Sequence, residues 1–218
     1  MKILICPGAF KGTFSANQIA DIVSSSLKTH LPELELEILP LADGGKGSLD
    51  IVNYINSSCE ILKSEIIDVL GEQTISVPWG MCWDEKVAYI ESAEVIGYQS
   101  LGARMLLPKI ASSYGVGVLL REAIDFGARK IVLFLGDTLV LDAGLFCSMA
   151  LGVRFFDENQ QEIISTDVLK SLQKVKSIDF SGFNKELYNN VTLAVDTFSP
   201  LCGEHGLVKL YGAQKGLI

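Results

Sequence analysis

Four short segments set glycine beside a charged or hydroxyl side chain: Phe10-Lys11-Gly12-Thr13, Asp43-Gly44-Gly45-Lys46-Gly47, Ser113-Tyr114-Gly115-Val116-Gly117 and Gln214-Lys215-Gly216. Glycine lets backbone approach a ligand closely. Backbone N–H groups flanked by a cation suit a small polyanion. Polar small-molecule binding is the chemistry these spacings point to. With two histidines in the chain, His30 and His205, a histidine-built metal centre is not expected.

Elements that begin and end at these segments must position them. Residues 3–6 read as a buried first strand, because the apolar run before Pro7 and Gly8 is too short for a signal-peptide core. Ser15 is placed to cap a helix over residues 15–29, where Ile19, Ile22, Val23 and Leu27 keep helical spacing. Residues 34–39 alternate as a second strand, residues 40–47 form a loop, and a helix follows through Leu49, Ile51, Val52 and Ile55. This rhythm predicts a parallel, Rossmann- or flavodoxin-like α/β sheet whose loops gather into a crevice at the carboxyl ends of its strands. The next stretch changes character: β-rich pieces at 66–70, 74–77 and 86–90 are separated by Gly71, Pro78 and Gly80. A domain boundary is expected near Asp68, with residues 1–68 the amino-terminal part of a discontinuous Rossmann-like domain and 69–218 a second α/β domain. Within the latter, helices are expected at 115–126 and 143–151 and strands at 130–135 and 191–195, the last followed by Asp196. Trp79 and Trp83 are expected to pack beneath the small β region.

Composition excludes more than it identifies. A net charge of -8 over 218 residues, without a basic run, argues against nucleic acid or an anionic membrane as partner. The longest apolar stretch, 131–135, is stopped by Gly136 and Asp137, so no span is expected and a cytoplasmic location is. Five cysteines without a C-x-x-C pair read as reduced thiols.

Taken in order, the motifs resemble the amino-terminal portion of the bacterial glycerate kinase family. Pro7, Phe10, Lys11 and Gly12 match that family's Pro-Asp-Ser-Phe-Lys-Gly-Ser loop, with Gly8 and Ala9 in place of the aspartate and serine. Residues 42–48 match Ala-Asp-Gly-Gly-Glu-Gly-Thr with Lys46 for glutamate, residues 112–117 match Thr-Ser-Tyr-Gly-Val-Gly, and Tyr211-Gly212-Ala213-Gln214-Lys215-Gly216-Leu217 meets Phe-Gly-Pro-Gln-Lys-Gly-Ala. The resemblance implies ATP-dependent phosphorylation of a glycerate hydroxyl with magnesium. Phosphoryl transfer needs cations on the moving group, a metal ligand and often a base. Lys11 and Lys215 are assigned to anion stabilisation, and Asp43 and Asp196 to hydroxyl activation or magnesium. Ligand contacts are assigned to Gly12, Gly44, Gly45, Gly47, Ser113, Gly136 and Gln214, and Asp142 is the further metal or base candidate. Each also has a plain structural reading: a solvated Lys11, an Asx turn at Asp43, caps at Ser113, Asp142 and Asp196, and a tail cation at Lys215.

Two features set the chain apart from the family pattern. The family's Gly-Gly-Ser-Ala-Thr-Asn-Asp-Gly-Gly loop is represented by Gly136-Asp137-Thr138-Leu139-Val140-Leu141-Asp142-Ala143-Gly144. Asp137 brings a charge where a phosphate would lie, and two like charges about 4 Å apart repel by roughly 4 kcal/mol at a surface-like dielectric. Family members also continue beyond the Gln-Lys-Gly signature, so parallel strands here are expected to expose apolar faces unless a partner protein or second chain completes the sheet. The alternative to a kinase is therefore a truncated, inactive homologue that binds a small organic acid or a partner.

Overall fold

The computed structural model describes residues 1–101, 110–164 and 168–216. Leu217, at the end of the fourth motif, lies outside them. The chain runs β1 (Lys2–Ile5), α1 (Ala16–His30), β2 (Glu35–Ile38), α2 (Ser48–Ile55), β3 (Glu60–Ile67), β4 (Thr74–Cys82) and β5 (Val87–Glu91). It continues through α3 (Ser92–Ile96), α4 (Tyr98–Leu101), α5 (Tyr114–Asp125), β6 (Lys130–Phe134), α6 (Leu145–Ala150) and β7 (Arg154–Phe156). The last elements are α7 (Val168–Lys174), β8 (Ser177–Asp179), β9 (Val191–Ala194) and α8 (Leu207–Tyr211).

Among the described residues the strands form three sheets. β1 and β2 make a two-stranded parallel sheet with Lys2 opposite Glu35 and Ile5 opposite Ile38. Five strands in the order β3-β4-β5-β6-β9 make the central sheet, antiparallel across β3, β4 and β5 and parallel across β5, β6 and β9. β7 and β8 form a short antiparallel pair. The expected α/β class, with parallel strands joined through helices, is what the chain adopts.

Local chemistry accounts for the elements. Ser15 caps α1 in a reciprocal capping box with Gln18, each side chain bonding the other residue's backbone N–H. β4 runs straight through Pro78 and Gly80, where the sequence suggested breaks. Pro78 faces Lys63 of β3, while pairing with β5 begins only at Gly80, so the missing proline N–H falls where β4 has one neighbour. The central core gathers Ile66, Val77, Met81, Ile90, Leu119 and Ile131, all fully buried. Trp79 joins them, donating its indole N–H to Ser64 Oγ at 2.9 Å and meeting Phe126 edge-on at 5.7 Å. Trp83 does not pack as expected: it falls in the turn after β4, exposed, with its N–H on Glu60 Oε2 at 2.7 Å.

The third glycine motif serves packing. A Cβ on Gly115 would lie 2.5 Å from the Ile67 carbonyl, and one on Gly117 would strike the Cys147 carbonyl, so these glycines let α5 press against β3 and α6. The cysteines need one correction. Cys59 and Cys82 are joined in a disulfide, with Cα atoms 4.2 Å apart. They flank the Glu60–Met81 pair of the β3–β4 ladder, an adjacency that 23 residues of separation conceal in the sequence. Cys6, Cys147 and Cys202 are free thiols. Among the described residues no helix is long and apolar enough to cross a membrane.

Candidate functional site

Parallel strands deliver their carboxyl ends to one side, and the loops leaving them meet there. The loop after β2 lies against the loop after β6: Gly136 N–H donates to Gly44 O at 2.8 Å. A Cβ on Gly136 would sit 2.5 Å from the Gly45 backbone, so glycine at 136 is what allows the two loops to stack. The end of β9 joins them through Leu135 N–H on Ala194 O at 3.1 Å. The loop after β1 closes the arrangement, and the result is a cleft of about 770 Å³ lined by Lys11, Gly12, Asp43, Gly47, Asp137 and Gln214 among others.

At its centre Lys11 Nζ donates to Asp137 Oδ1 at 2.8 Å and pairs with Asp43 Oδ2 at 3.2 Å. Asp137 Oδ2 accepts the Lys46 backbone N–H at 3.2 Å, and Asp43 Oδ1 accepts that of Gly45 at 2.9 Å. The Asx turn foreseen at Asp43 is present, and the same carboxylate lines the cleft. The Asp137 hydrogen bond, with Asp43 adding to it, raises Lys11 above the ordinary lysine value. The Gly45 N–H, and then Lys11, hold Asp43 below the usual carboxylate range, so it stays ionised at neutral pH. Asp137 adopts φ 56° and Ala143 φ 52°, the left-handed region that favours glycine, at two positions where the family pattern has glycine.

Of the other expected residues, Ser113, Asp142, Asp196 and Lys215 lie outside the cleft lining, and Gln214 reaches it. Ser113 and Asp142 are buried together: Asp142 Oδ2 accepts both the Ser113 N–H at 2.8 Å and its hydroxyl at 2.7 Å, and Oδ1 accepts the Gly144 N–H at 3.1 Å. Ser113 Oγ in turn accepts the Cys147 N–H, so this pair braces the start of α5 against the start of α6. Beside it, burial and then Asp142 push the Cys147 thiol up to about 12. Asp196 is exposed beyond β9 and does not line the cleft. Lys215 is folded back on the β6 loop, donating to Val140 O at 3.2 Å and Thr138 Oγ1 at 3.4 Å, and burial lowers its pKa. Gln214 reaches the cleft and is held through its carbonyl by the Tyr98 hydroxyl at 3.1 Å.

Two acids in a smaller pocket beside the start of α2, which shares Lys46 and Gly47 with the cleft, were not singled out from the sequence. Buried Glu91, at the end of β5, accepts the Leu49 N–H and so fastens the start of α2 to the central sheet. Burial pushes its carboxyl up to about 7. Glu94 pairs with Lys46 Nζ at 2.9 Å. The available signal was Glu91 itself, a carboxylate closing an apolar strand, Val87–Glu91.

The donor set does not fit a polyphosphate cradle or a dedicated magnesium site. Gly136, Leu139 and Gly144 N–H groups are taken by Gly44 O, Ile96 O and Asp142 Oδ1, and the side chain of Leu139 is buried. Among the described residues no group of three or more His, Cys, Asp or Glu could hold a metal ion.

Fold and cleft together define an α/β protein with an open cleft at its strand ends, centred on Lys11, Asp43 and Asp137. A model of the glycerate kinase family matches residues 3–218. The glycerate 2-kinase of Escherichia coli K12 is 31% identical over 99% of this chain and 56% of its own length. The glycerate kinase of Bacillus subtilis 168 is 32% identical over the same shares. A crystal structure from Salmonella typhimurium LT2, described as a glycerate kinase 2, superposes with a TM-score of 0.81 at 30% identity, over 99% of this chain and 57% of that one. The chain belongs to the glycerate kinase family. It spans a little over half the length of these relatives.

Proposed function

We propose that the cleft is the acceptor side of a glycerate kinase, holding glycerate for ATP-dependent phosphorylation of one of its hydroxyls. The observation that carries this reading is the convergence of Lys11, Asp43, Lys46 and Gly47 in one open cleft. Lys11 supplies a cation for the substrate carboxylate or for charge developing on the transferred group. Asp43, ionised and at hydrogen-bond reach of the cleft, receives the hydroxyl proton. ATP with magnesium supplies the phosphoryl group in the family's reaction. The described residues do not offer a fitted cradle for either.

Enzyme in excess over glycerate, with magnesium-ATP, should yield phosphoglycerate visible by ³¹P NMR, and Asp43→Asn should slow its formation at least ~100-fold, the lower end for loss of a positioned acid or base. Absence of product from the unaltered chain, together with an unchanged spectrum on adding glycerate, would sink the reading. One observation favours a second: Asp137 already engages Lys11, as expected of a silent homologue that binds a small organic acid weakly or docks onto a partner protein. Glycerate binding without any product would select that second reading.

A further inference from the structure

Asp137 sits in the cleft as a bound anion would. Its carboxylate is gripped on one side by the Lys11 ammonium at 2.8 Å and on the other by the Lys46 backbone N–H at 3.2 Å, donors from two different loops. An ammonium opposite a backbone N–H is the recognition chemistry of a small carboxylate or phosphate. The carboxylate rests directly on Gly45, where a Cβ would collide with Asp137 Oδ2. The pair is open to solvent, with Lys11 63% and Asp137 31% exposed in their side chains, so it can separate without dismantling the core. Asp43 also pairs with Lys11, at 3.2 Å, so the lysine has a second partner at hand when the first contact opens.

We propose that the Asp137 carboxylate is a built-in occupant of this cleft's anion site, filling the donors that a ligand's carboxylate or phosphate must take, and that the site accepts a free anion only once Asp137 has moved aside. The inference rests on the reading of the cleft as an acceptor site. A tethered competitor acts at an effective concentration of roughly millimolar or above, so dilute free anions do not displace it. The backbone at 137 is left-handed, a conformation that glycine adopts freely and asparagine tolerates, so both replacements keep the loop.

The test titrates glycerate, and separately inorganic phosphate, into the unaltered chain, Asp137→Gly, Asp137→Asn and the double variant Asp137→Gly/Lys11→Met, following the Lys46 amide by ¹⁵N NMR. Asp137→Gly should bind one or both anions at least ~10-fold tighter than the unaltered chain, a difference of about 1.4 kcal/mol. Asp137→Asn, which keeps an acceptor for Lys46 but no charge, should fall between them, and Lys11→Met should erase the gain. Equal affinity for the unaltered chain and Asp137→Gly overturns the proposal, as does a gain that survives Lys11→Met. Product formation from magnesium-ATP in the same samples keeps the two ideas apart. Turnover by the unaltered chain with no gain in Asp137→Gly overturns the built-in occupant and leaves the kinase reading standing. A gain in binding with no product from either chain supports the occupant and overturns the kinase reading.

Discussion

The central five-stranded sheet and the β1–β2 pair begin from similar strand sequences and end in different environments. β4 and β5 bury nearly every residue from Val77 to Glu91 outside the intervening turn, and α5 covers that sheet with Leu119, Leu120 and Ala123. β1 and β2 bury none of their residues fully; Leu4 is 55% exposed, and Ile22 and Val23 on neighbouring α1 are exposed as well. Apolar alternation states which face a strand would bury, and only neighbouring elements decide whether it does. The cleft draws Lys11 and Asp43 from loops of the lightly covered pair and Asp137 from the loop of the covered sheet. Its geometry therefore depends on ties such as Glu91 to Leu49 and Gly136 to Gly44.

The largest expected contrast comes from truncating one side chain in each region. Trp79→Ala removes a fully buried indole and leaves Ser64 without its partner, and should cost about 3–5 kcal/mol. Leu4→Ala should cost under about 1 kcal/mol, in the manner of an exposed position. Urea unfolding of the two variants measures both, and a Leu4→Ala cost near that of Trp79→Ala would mean the β1–β2 face is covered in solution.

The tie between the regions should carry a pH dependence. The folded-state value of Glu91 is raised to about 7, so the folded chain holds a proton that the unfolded chain has already released above the ordinary carboxylate range. Stability from this group is therefore full in acid and falls as pH rises towards 7, on the order of 2–3 kcal/mol across that window, and levels off above it. Asp43 acts in the opposite sense, its contribution present near neutrality and lost as pH falls through its lowered folded-state value. Glu91→Gln keeps an acceptor for Leu49 without the charge and should flatten the decline between pH 5 and 7 in denaturant melts; an unchanged slope would break the link.

The smallest effect lies in the β6 loop. Ala143 holds φ 52°, and Ala143→Gly trades relief of that left-handed conformation against greater freedom of the unfolded chain, a net gain of about 0.5 kcal/mol. A rise of about 1–2 °C in the melting midpoint would show it. A fall would mean that the alanine methyl contributes packing that outweighs the backbone term.

Much of this was legible in the chain because it is local. The Ser15–Gln18 capping box, the period of α1, the strand at 130–134 and the glycine loops at 11–12 and 43–47 all carry their signals within a few residues. What was not legible depends on partners far away in sequence. β3 begins at Glu60 because β4 pairs with it, and Cys59 meets Cys82 for the same reason. Asp137 was expected to act as a repelling charge, and a sequence separation of 126 conceals that it pairs with Lys11. Ser113 and Asp142 carry motif chemistry, yet their buried mutual hydrogen bonds depend on how α5 and α6 pack.

The most direct test of an anion-accepting cleft around Lys11 is a set of thermal melts of the unaltered chain, Asp137→Gly and Asp137→Gly/Lys11→Met, each with glycerate raised to tens of millimolar. A ligand that binds only the folded state raises the midpoint, and about 1 kcal/mol of binding should appear as roughly 2–4 °C in a chain of this size. The account predicts a clear rise for Asp137→Gly, a smaller one for the unaltered chain and none for the double variant. No rise in either of the first two, or a rise indifferent to Lys11, would contradict it.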